Sequence, residues 1–338
     1  MIGAGWVSTH RHIPILKSHK EVTVVGIVDR TNGRAKEAAQ KMGIPKWADT
    51  YQLKDIEWLS EIDAVTIGTS PFTHYPLAME AMELKKDFLT EKPFCMTLSE
   101  GSEMIAKANQ ERRIFAIVHN FQFCRSVKKL IRDIQNGKLG TITSLDAVQL
   151  SNPHRRLPTW YEKLPGGLFY DESPHLLYLI RLLGGGKPKL AETYAKVEKN
   201  KTPSLLNANY ESPLGFPIRL SMNFVAPISE WHILVFGEKA LGAVDLFRDI
   251  YIRLPNDGLH VTGTVFRTSF LATLKHWAVH VMPGVRHLFG RAYYGNPEVT
   301  QRFVKACQTR ELPKDIGPQE ALEILQMQHE ILNAAKLK

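Results

Sequence analysis

The chain has 338 residues, 44% of them hydrophobic and 23% charged, the composition of a soluble globular protein long enough to form two cores. Its three cysteines, Cys95, Cys124 and Cys307, include no close pair, which excludes a disulfide framework and a thiolate zinc site; no metal is expected, and a reducing cytoplasm fits best. The net charge of +9 is scattered with no basic arm or nucleic-acid motif, so nucleic acid is not an expected partner, and the excess serves either phosphate-bearing ligands or solubility.

The chain opens with Gly3-Ala4-Gly5-Trp6-Val7-Ser8, a Gly-x-Gly-x-x-Ser turn leading into a helical pattern from His10 to Ser18. Glycines are needed where backbone turns sharply and approaches a pyrophosphate, whose charge then lies at the positive end of the next helix. Ser8 stands where Gly or Ala is usual, small enough for helix–strand packing. Gly3, Gly5, Trp6 and Val7 are therefore candidate cofactor contacts. The β-branched run Val22 to Val28 reads as a strand buried on both faces. Asp29 closes it, 24 residues after Gly5, where dinucleotide folds place the acid that accepts the ribose hydroxyls and repels a 2′-phosphate. NAD is thus expected over NADP, which Arg30 beside it does not exclude; the plainer reading of Asp29 is a turn residue ahead of Asn32-Gly33. A dinucleotide fold needs a first strand before its glycine turn, yet only Met1 and Ile2 precede Gly3, so either the start is truncated or a shortened strand sits in the sheet. The opening residues lack a charged stretch followed by an apolar one, so no secretory signal is expected.

A helix from Arg34 to Met42 stopped by Gly43, a strand over Ile62 to Gly68, a helix from His74 to Leu84 and a strand from Asp87 to Thr90 continue the pattern. Such alternation makes a parallel sheet whose ligands bind at the carboxyl ends of its strands. Thr69, Ser70, Pro71 and His74 occupy one such end and Glu91-Lys92-Pro93 the next, all expected near cofactor. An ammonium at Lys92 can hold a reacting oxygen and stabilise charge developing on it.

Further on, Asn152-Pro153-His154-Arg155-Arg156 and Trp160-Tyr161 put two guanidinium forks beside aromatic faces, equipment for an anionic sugar derivative, or else a solvated basic loop. Asn120, Arg155, Arg156, Trp160 and Tyr161 are candidate substrate residues. Then Gly166-Gly167-Leu168-Phe169-Tyr170-Asp171-Glu172-Ser173-Pro174-His175 places a carboxylate and an imidazole four residues apart, on one face if helical. A neutral imidazole can take an alcohol proton near pH 7 and a carboxylate can orient it. Read alone, the stretch is better taken as a structural histidine beside a helix-capping aspartate, and the rest of the chain shifts that reading. Pro174 has no backbone N–H, so a helix here must start near Ser173 or kink. Strands are expected at Tyr194–Val197, Ile218–Val225, His232–Gly237 and Leu241–Phe247, with closing helices at Pro297–Gln308 and Pro318–Ala335. The stretch Phe270 to Gly290, interrupted by Lys275, His276, His280, Pro283 and Arg286, cannot span a bilayer; core or subunit packing is favoured over membrane-surface attachment. Trp277, Met282, Phe289, Tyr293 and Tyr294 read as core, interface or a substrate lid.

Taken in order, Gly3-Ala4-Gly5, the strand ending in Asp29, Pro71 with His74, Glu91-Lys92-Pro93, Asn136-Gly137-Lys138-Leu139-Gly140, and Gly166-Gly167 with Asp171 and His175 resemble the glucose-fructose oxidoreductase and inositol dehydrogenase (Gfo/Idh/MocA) family over nearly the whole chain. The resemblance implies an α/β chain: an N-terminal Rossmann dinucleotide-binding domain, residues 1–121, and a C-terminal α+β domain with a large, mostly antiparallel sheet, residues 122–338. It also implies an NAD(P)-dependent dehydrogenase of sugars or cyclitols that forms a homodimer or homotetramer through the open sheet face. Lys92, Asp171 and His175 would be its catalytic residues. The chain departs from the family at Tyr178, where a second aspartate is common, and at Gln122, where arginine is frequent. Two other readings stay open: a non-catalytic dinucleotide-binding sensor of the same fold, and a lyase or glycosidase that recycles NAD internally.

Overall fold

A computed structural model describes residues 1–197, 202–288 and 293–337. It divides into two compact units, one of Met1–Asn120 with Asn296–Gln326, the other of Phe121–Gly295 with Met327–Lys338.

The first unit alternates strand and helix: α1 (Ile13–Ser18), β1 (Gly26–Val28), α2 (Arg34–Met42), β2 (Lys46–Ala48), β3 (Ala64–Ile67), α3 (His74–Glu83), β4 (Asp87–Thr90), α4 (Leu98–Gln110) and β5 (Phe115–Ile117). All strand pairs are parallel, β1 with β2 and β3 with β4 with β5. Ile2 joins the two groups by bridging Val28 on one side and Ile67 on the other. On the β3 side Ile2 N–H donates to Thr66 O at 2.8 Å and Gly68 N–H to Ile2 O at 2.9 Å; on the β1 side Gly3 N–H donates to Val28 O at 2.8 Å and Val28 N–H to Met1 O at 2.9 Å.

The long strand expected over Val22–Val28 is confined to Gly26–Val28, because its partners on both sides stop there. Val22 to Val25 instead line a cavity of about 590 Å³ at the amino ends of the strands, shared with Ile62, Val65 and Phe303. Gly26 is required by the Trp58 ring, which a Cβ there would meet at 2.2 Å. Around the sheet, Ala4, Ile13, Ile27, Ala38, Ala39 and Ile44 form one buried cluster, each stabilising the unit by roughly 25 cal/mol per Å² of apolar surface removed from water. The helix leading to α1 begins at Trp6 and passes through a π-turn, Ser8–His12. Ile13 N–H bonds back to Ser8 O, five residues away, just before Pro14, which cannot donate to the usual i−4 carbonyl.

The second unit starts with α5 (Arg125–Gln135), β6 (Ile142–Leu150), α6 (Leu168–Leu183), β7 (Lys189–Val197), β8 (Pro203–Glu211), β9 (Pro217–Asn223), β10 (Glu230–Gly237), β11 (Ala240–Asp245), β12 (Ile250–Pro255) and α7 (Thr262–Leu288). Its seven strands lie in the order β12-β11-β10-β6-β9-β8-β7, antiparallel except for β6 with β9. One face, with Leu145, Ala147, Leu206, Ala208, Leu220 and Ile233, is buried; α5 packs against β11 and β12, and α6 against β6. On the opposite face Arg219 Nε and Nη2 each donate to Asp146 at 2.6 Å. Strands β6, β8 and β12 have no counterpart in the sequence reading. The last helices are α8 (Asn296–Thr309) and α9 (Pro318–Ala334). At the end of α8, Arg310 Nη2 donates to the buried Asp87 at 3.1 Å, tying the returning segment to β4. No helix among the described residues is long and apolar enough to cross a membrane.

Candidate active site

In the first unit the glycine turn adopts the form the sequence demands. Gly3 has φ +91°, and a Cβ there would lie 2.7 Å from Gly68 O, so only glycine fits. Ser8 replaces the third small residue because a glycine faces it: it is fully buried, its hydroxyl donating to Gly68 O at 3.3 Å. Asp29, at the carboxyl end of β1, is only 2% exposed. Its two carboxylate oxygens accept the backbone N–H groups of Ala4 and Thr31, each at 2.8 Å. The acid therefore fixes the glycine turn, and its negative charge marks this strand end.

Trp6 and Val7 form the start of the following helix. Trp6 is exposed, with the His10 ring stacked on it at 5.0 Å and the Arg11 guanidinium 5.1 Å from its ring centre. Arg30, beside Asp29, is exposed, with its guanidinium over the Tyr51 ring at 5.5 Å.

The loops after β3 and β4 are locked together. His74, fully buried, has Nδ1 2.7 Å from Pro93 O and Nε2 3.2 Å from Thr69 O. It was expected as a cofactor contact; with both ring nitrogens on carbonyls, it braces the two loops instead. Burial drives its pKa below the usual histidine value even though both carbonyls favour the cation. Thr73 Oγ1 donates to Thr69 Oγ1 at 2.8 Å, shaping the Thr69-Ser70-Pro71 turn.

Sequence reading missed His12. Its Nε2 lies 2.8 Å from Glu91 Oε1, so that a buried imidazole meets a half-buried carboxylate at the end of β4, 79 residues away in sequence. Burial alone would raise the Glu91 carboxyl, but the His12 hydrogen bond and the charges of His12, Lys92 and His74 hold it below the ordinary range. Glu91 also accepts the Lys92 N–H at 3.2 Å, so the half-buried Lys92 follows directly from an anchored neighbour.

These residues fit a dinucleotide. Nothing lies within 4 Å of a Cβ placed on Gly5, leaving open space beside a turn that feeds a helix amino end, where a diphosphate is favoured. Asp29 sets a carboxylate at the strand end where a 2′-phosphate would be repelled. Among the described residues, no three His, Cys, Asp or Glu side chains are grouped to hold a metal.

In the second unit α6 carries the other candidates. Between Leu168 and Ile180 every residue is buried except Asp171 and His175, which are half-buried and four residues apart on one face. The helix runs from Leu168 through Pro174 to Leu183, so it does not start near Ser173. Pro174 leaves Tyr170 O without its helical donor, and Gln328 of α9 supplies one. The Gln328 Nε2 donates to Tyr170 O at 2.7 Å and to Ser173 Oγ at 2.8 Å, and the side chain is fully buried. The repair comes from 154 residues away, beyond the reach of any local pattern.

His175 Nδ1 lies 3.1 Å from Tyr178 Oη, and Tyr178 Oη accepts the Phe121 N–H at 2.9 Å. Tyr178, noted from sequence only as a missing aspartate, is thus the residue that fixes the imidazole. The ring is walled by Phe121, edge-on at 5.0 Å, and by Trp231 at 5.4 Å. Neither wall was foreseen.

Arg155 is not presented to a ligand as expected. Its guanidinium pairs with the buried Glu172 of α6, which also accepts from Gln149 and, at 3.4 Å, from Ser151 Oγ. Arg156 stays exposed, Trp160 and Tyr161 are half-buried, and Asn120 is buried at the end of the first unit.

Residues 1–119 match the model of an oxidoreductase family with an NAD-binding Rossmann fold (GFO_IDH_MocA), and residues 125–241 match the GFO/IDH/MocA C-terminal domain. The chain is 28% identical to a myo-inositol 2-dehydrogenase of Thermotoga maritima over 55% of its own length and 54% of the relative's. Against a scyllo-inositol 2-dehydrogenase (NAD(+)) of Bacillus subtilis it is 23% identical, over 84% of this chain and 86% of the other. Over the first of its curated relatives the chain spans about half their length, 50%, 54% and 49%. The fold is that of GenD2 from gentamicin A biosynthesis, solved with NAD (TM-score 0.78, 16% identity, 99% of this chain and 93% of that one). It is likewise that of the WlbA dehydrogenase of Bordetella pertussis, solved with NADH and UDP-GlcNAcA (TM-score 0.78, 16% identity, 99% and 94% covered).

Proposed function

Because the chain belongs to the Gfo/Idh/MocA oxidoreductase family, we propose that it is an NAD-dependent dehydrogenase acting on a CH–OH carbon of a sugar, cyclitol or sugar derivative. The observation that carries this reading is the exposure pattern of α6. Along a buried helix, the positions left half-open on one face are an acid and an imidazole, and Tyr178 holds that imidazole in place.

NAD, held by the glycine turn, the Asp29 strand end and the Thr69-Ser70-Pro71 loop, would supply the redox chemistry by accepting or giving a hydride. In the oxidation direction His175 takes the hydroxyl proton at Nε2, the nitrogen opposite its Tyr178 contact. Asp171, one turn earlier, stabilises the imidazolium so formed, and Lys92 stabilises the developing carbonyl oxygen. The Glu91–His12 pair fixes the backbone from which Lys92 projects. A nucleotide-linked or otherwise anionic sugar is the finer reading, supported by the exposed Arg156 and the net positive charge.

The test is NADH formation over a panel of cyclitols, free sugars and UDP-sugars. Stoichiometric NADH with one class supports the proposal. Product without net NADH would mean an internal redox cycle, and binding without turnover would mean a sensor; either result overturns it.

A further inference from the structure

Helix α7 is built the wrong way round for a helix that belongs to the protein's own core. A surface helix ordinarily turns its apolar stripe inward. Here the positions of α7 from Thr262 to Ala278 that are not exposed are Thr264, Thr268 and Ala272, spaced four apart on the face toward the body, where the helix packs against β12. At about 100° per residue, Phe266, Phe270, Leu274, Trp277 and Val281 fall within roughly 80° of one another on the opposite side. They are 73%, 58%, 54%, 68% and 58% exposed. Leu259 and Val261, 91% and 55% exposed, extend the apolar surface ahead of the helix. Trp277 is therefore neither core nor buried lid; the side chain of Met282 and all of Phe289 lie outside the described residues.

Charge says what covers this stripe. From Gly258 to Pro297 the sequence contains no Asp or Glu, while it contains Arg267, Lys275, Arg286 and Arg291. Of these, the exposed Arg267 lies at the margin of the stripe, where a long basic side chain can reach outward beside an apolar face, while Lys275, also exposed, lies on the far side of the helix. A second copy of the chain would meet like charge with like across a two-fold contact. A surface of anionic lipid headgroups answers both features at once, taking up the aromatic and aliphatic side chains and neutralising the basic ones.

We propose that α7 is an interfacial anchor that lays its Phe266–Phe270–Leu274–Trp277–Val281 face on an anionic lipid bilayer without crossing it. The docking is independent of the dehydrogenase reading and would hold even if that reading failed.

The experiment is flotation of the full-length chain with vesicles of phosphatidylcholine and phosphatidylglycerol in equal parts, and with phosphatidylcholine alone, at low and high salt. The expected result is binding to the anionic vesicles, weakened at least tenfold by salt or by omission of the anionic lipid. Phe270→Ser with Leu274→Ser should abolish binding, and Arg267→Gln should remove the anionic preference. All three side chains are exposed, so these variants should keep the wild-type melting temperature. Failure of the wild type to float, equal binding to both vesicle types, or binding untouched by the stripe substitutions would overturn the proposal. So would a dimer in sedimentation that dissociates in the Phe270→Ser, Leu274→Ser variant when no flotation occurs, since the face would then be a contact between copies.

Discussion

Replacing Gln328 by leucine tests how α6 tolerates a proline in its middle. The substitution keeps the volume of a fully buried side chain but removes the donor shared by Tyr170 O and Ser173 Oγ. Leaving a buried carbonyl without a partner costs about 1–3 kcal/mol. Against this, Gln328 Oε1 has no hydrogen-bond partner, and its removal relieves part of the cost. A net loss of about 1–2 kcal/mol follows. Pro174→Ala restores an N–H that can donate to Tyr170 O within the helix, so the same Gln328→Leu change should cost less in that background. Urea denaturation of the four proteins of this cycle gives the coupling, expected near 1 kcal/mol with the double variant more stable than additivity allows. Equal losses from Gln328→Leu in both backgrounds would show that Gln328 does not repair the proline and would refute the reasoning.

Other consequences can be measured alongside. Arg155→Ala should destabilise the chain, on the order of 3 kcal/mol, by leaving Glu172 buried without its cation, while changing KM for an anionic sugar less than Arg156→Ala does; thermal melts and initial rates check both halves. Gly3→Ala places a Cβ 2.7 Å from Gly68 O at φ +91°, so isothermal titration should show NAD binding weakened by an order of magnitude or more. Acid should weaken the first unit in two stages. Below about 6.5 the unfolded chain takes up a proton that buried His74, its pKa lowered, refuses, so stability falls with falling pH. Below about 4.5 the stabilisation of the Glu91 carboxylate is lost as pH drops through its lowered folded-state pKa. Melting temperature against pH should show both, and His74→Asn should flatten only the first.

What sequence revealed and what it concealed divide by the reach of the interactions involved. The Arg34–Met42 helix, stopped by Gly43 at φ +60°, and the strand Asp87–Thr90 were legible because caps, periodicity and β-branched runs act within a few residues. Asp171 and His175 were legible for the same reason, being one helical turn apart. The His12–Glu91 pair, the Gln328 brace and the Arg155–Glu172 pair were not, since each joins segments that only the fold brings together. Val22–Val25 carried a true strand signal but found no neighbour to pair with along the sheet. The apolar residues of α7 were visible as a pattern, but periodicity does not say whether a stripe faces in or out. Tyr178 could have been found: three residues after the histidine, it stands on the same helix face.

The most direct measurement of the central claim is the single-turnover rate of NADH appearance with the accepted sugar, compared between wild type and His175→Ala at matched NAD saturation. Proton transfer by His175 predicts a rate lower by about 10²- to 10⁴-fold with NAD affinity unchanged. A His175→Ala rate within a few-fold of wild type would contradict the account, because the imidazole would then be a structural residue of α6 and not the base of a dehydrogenase.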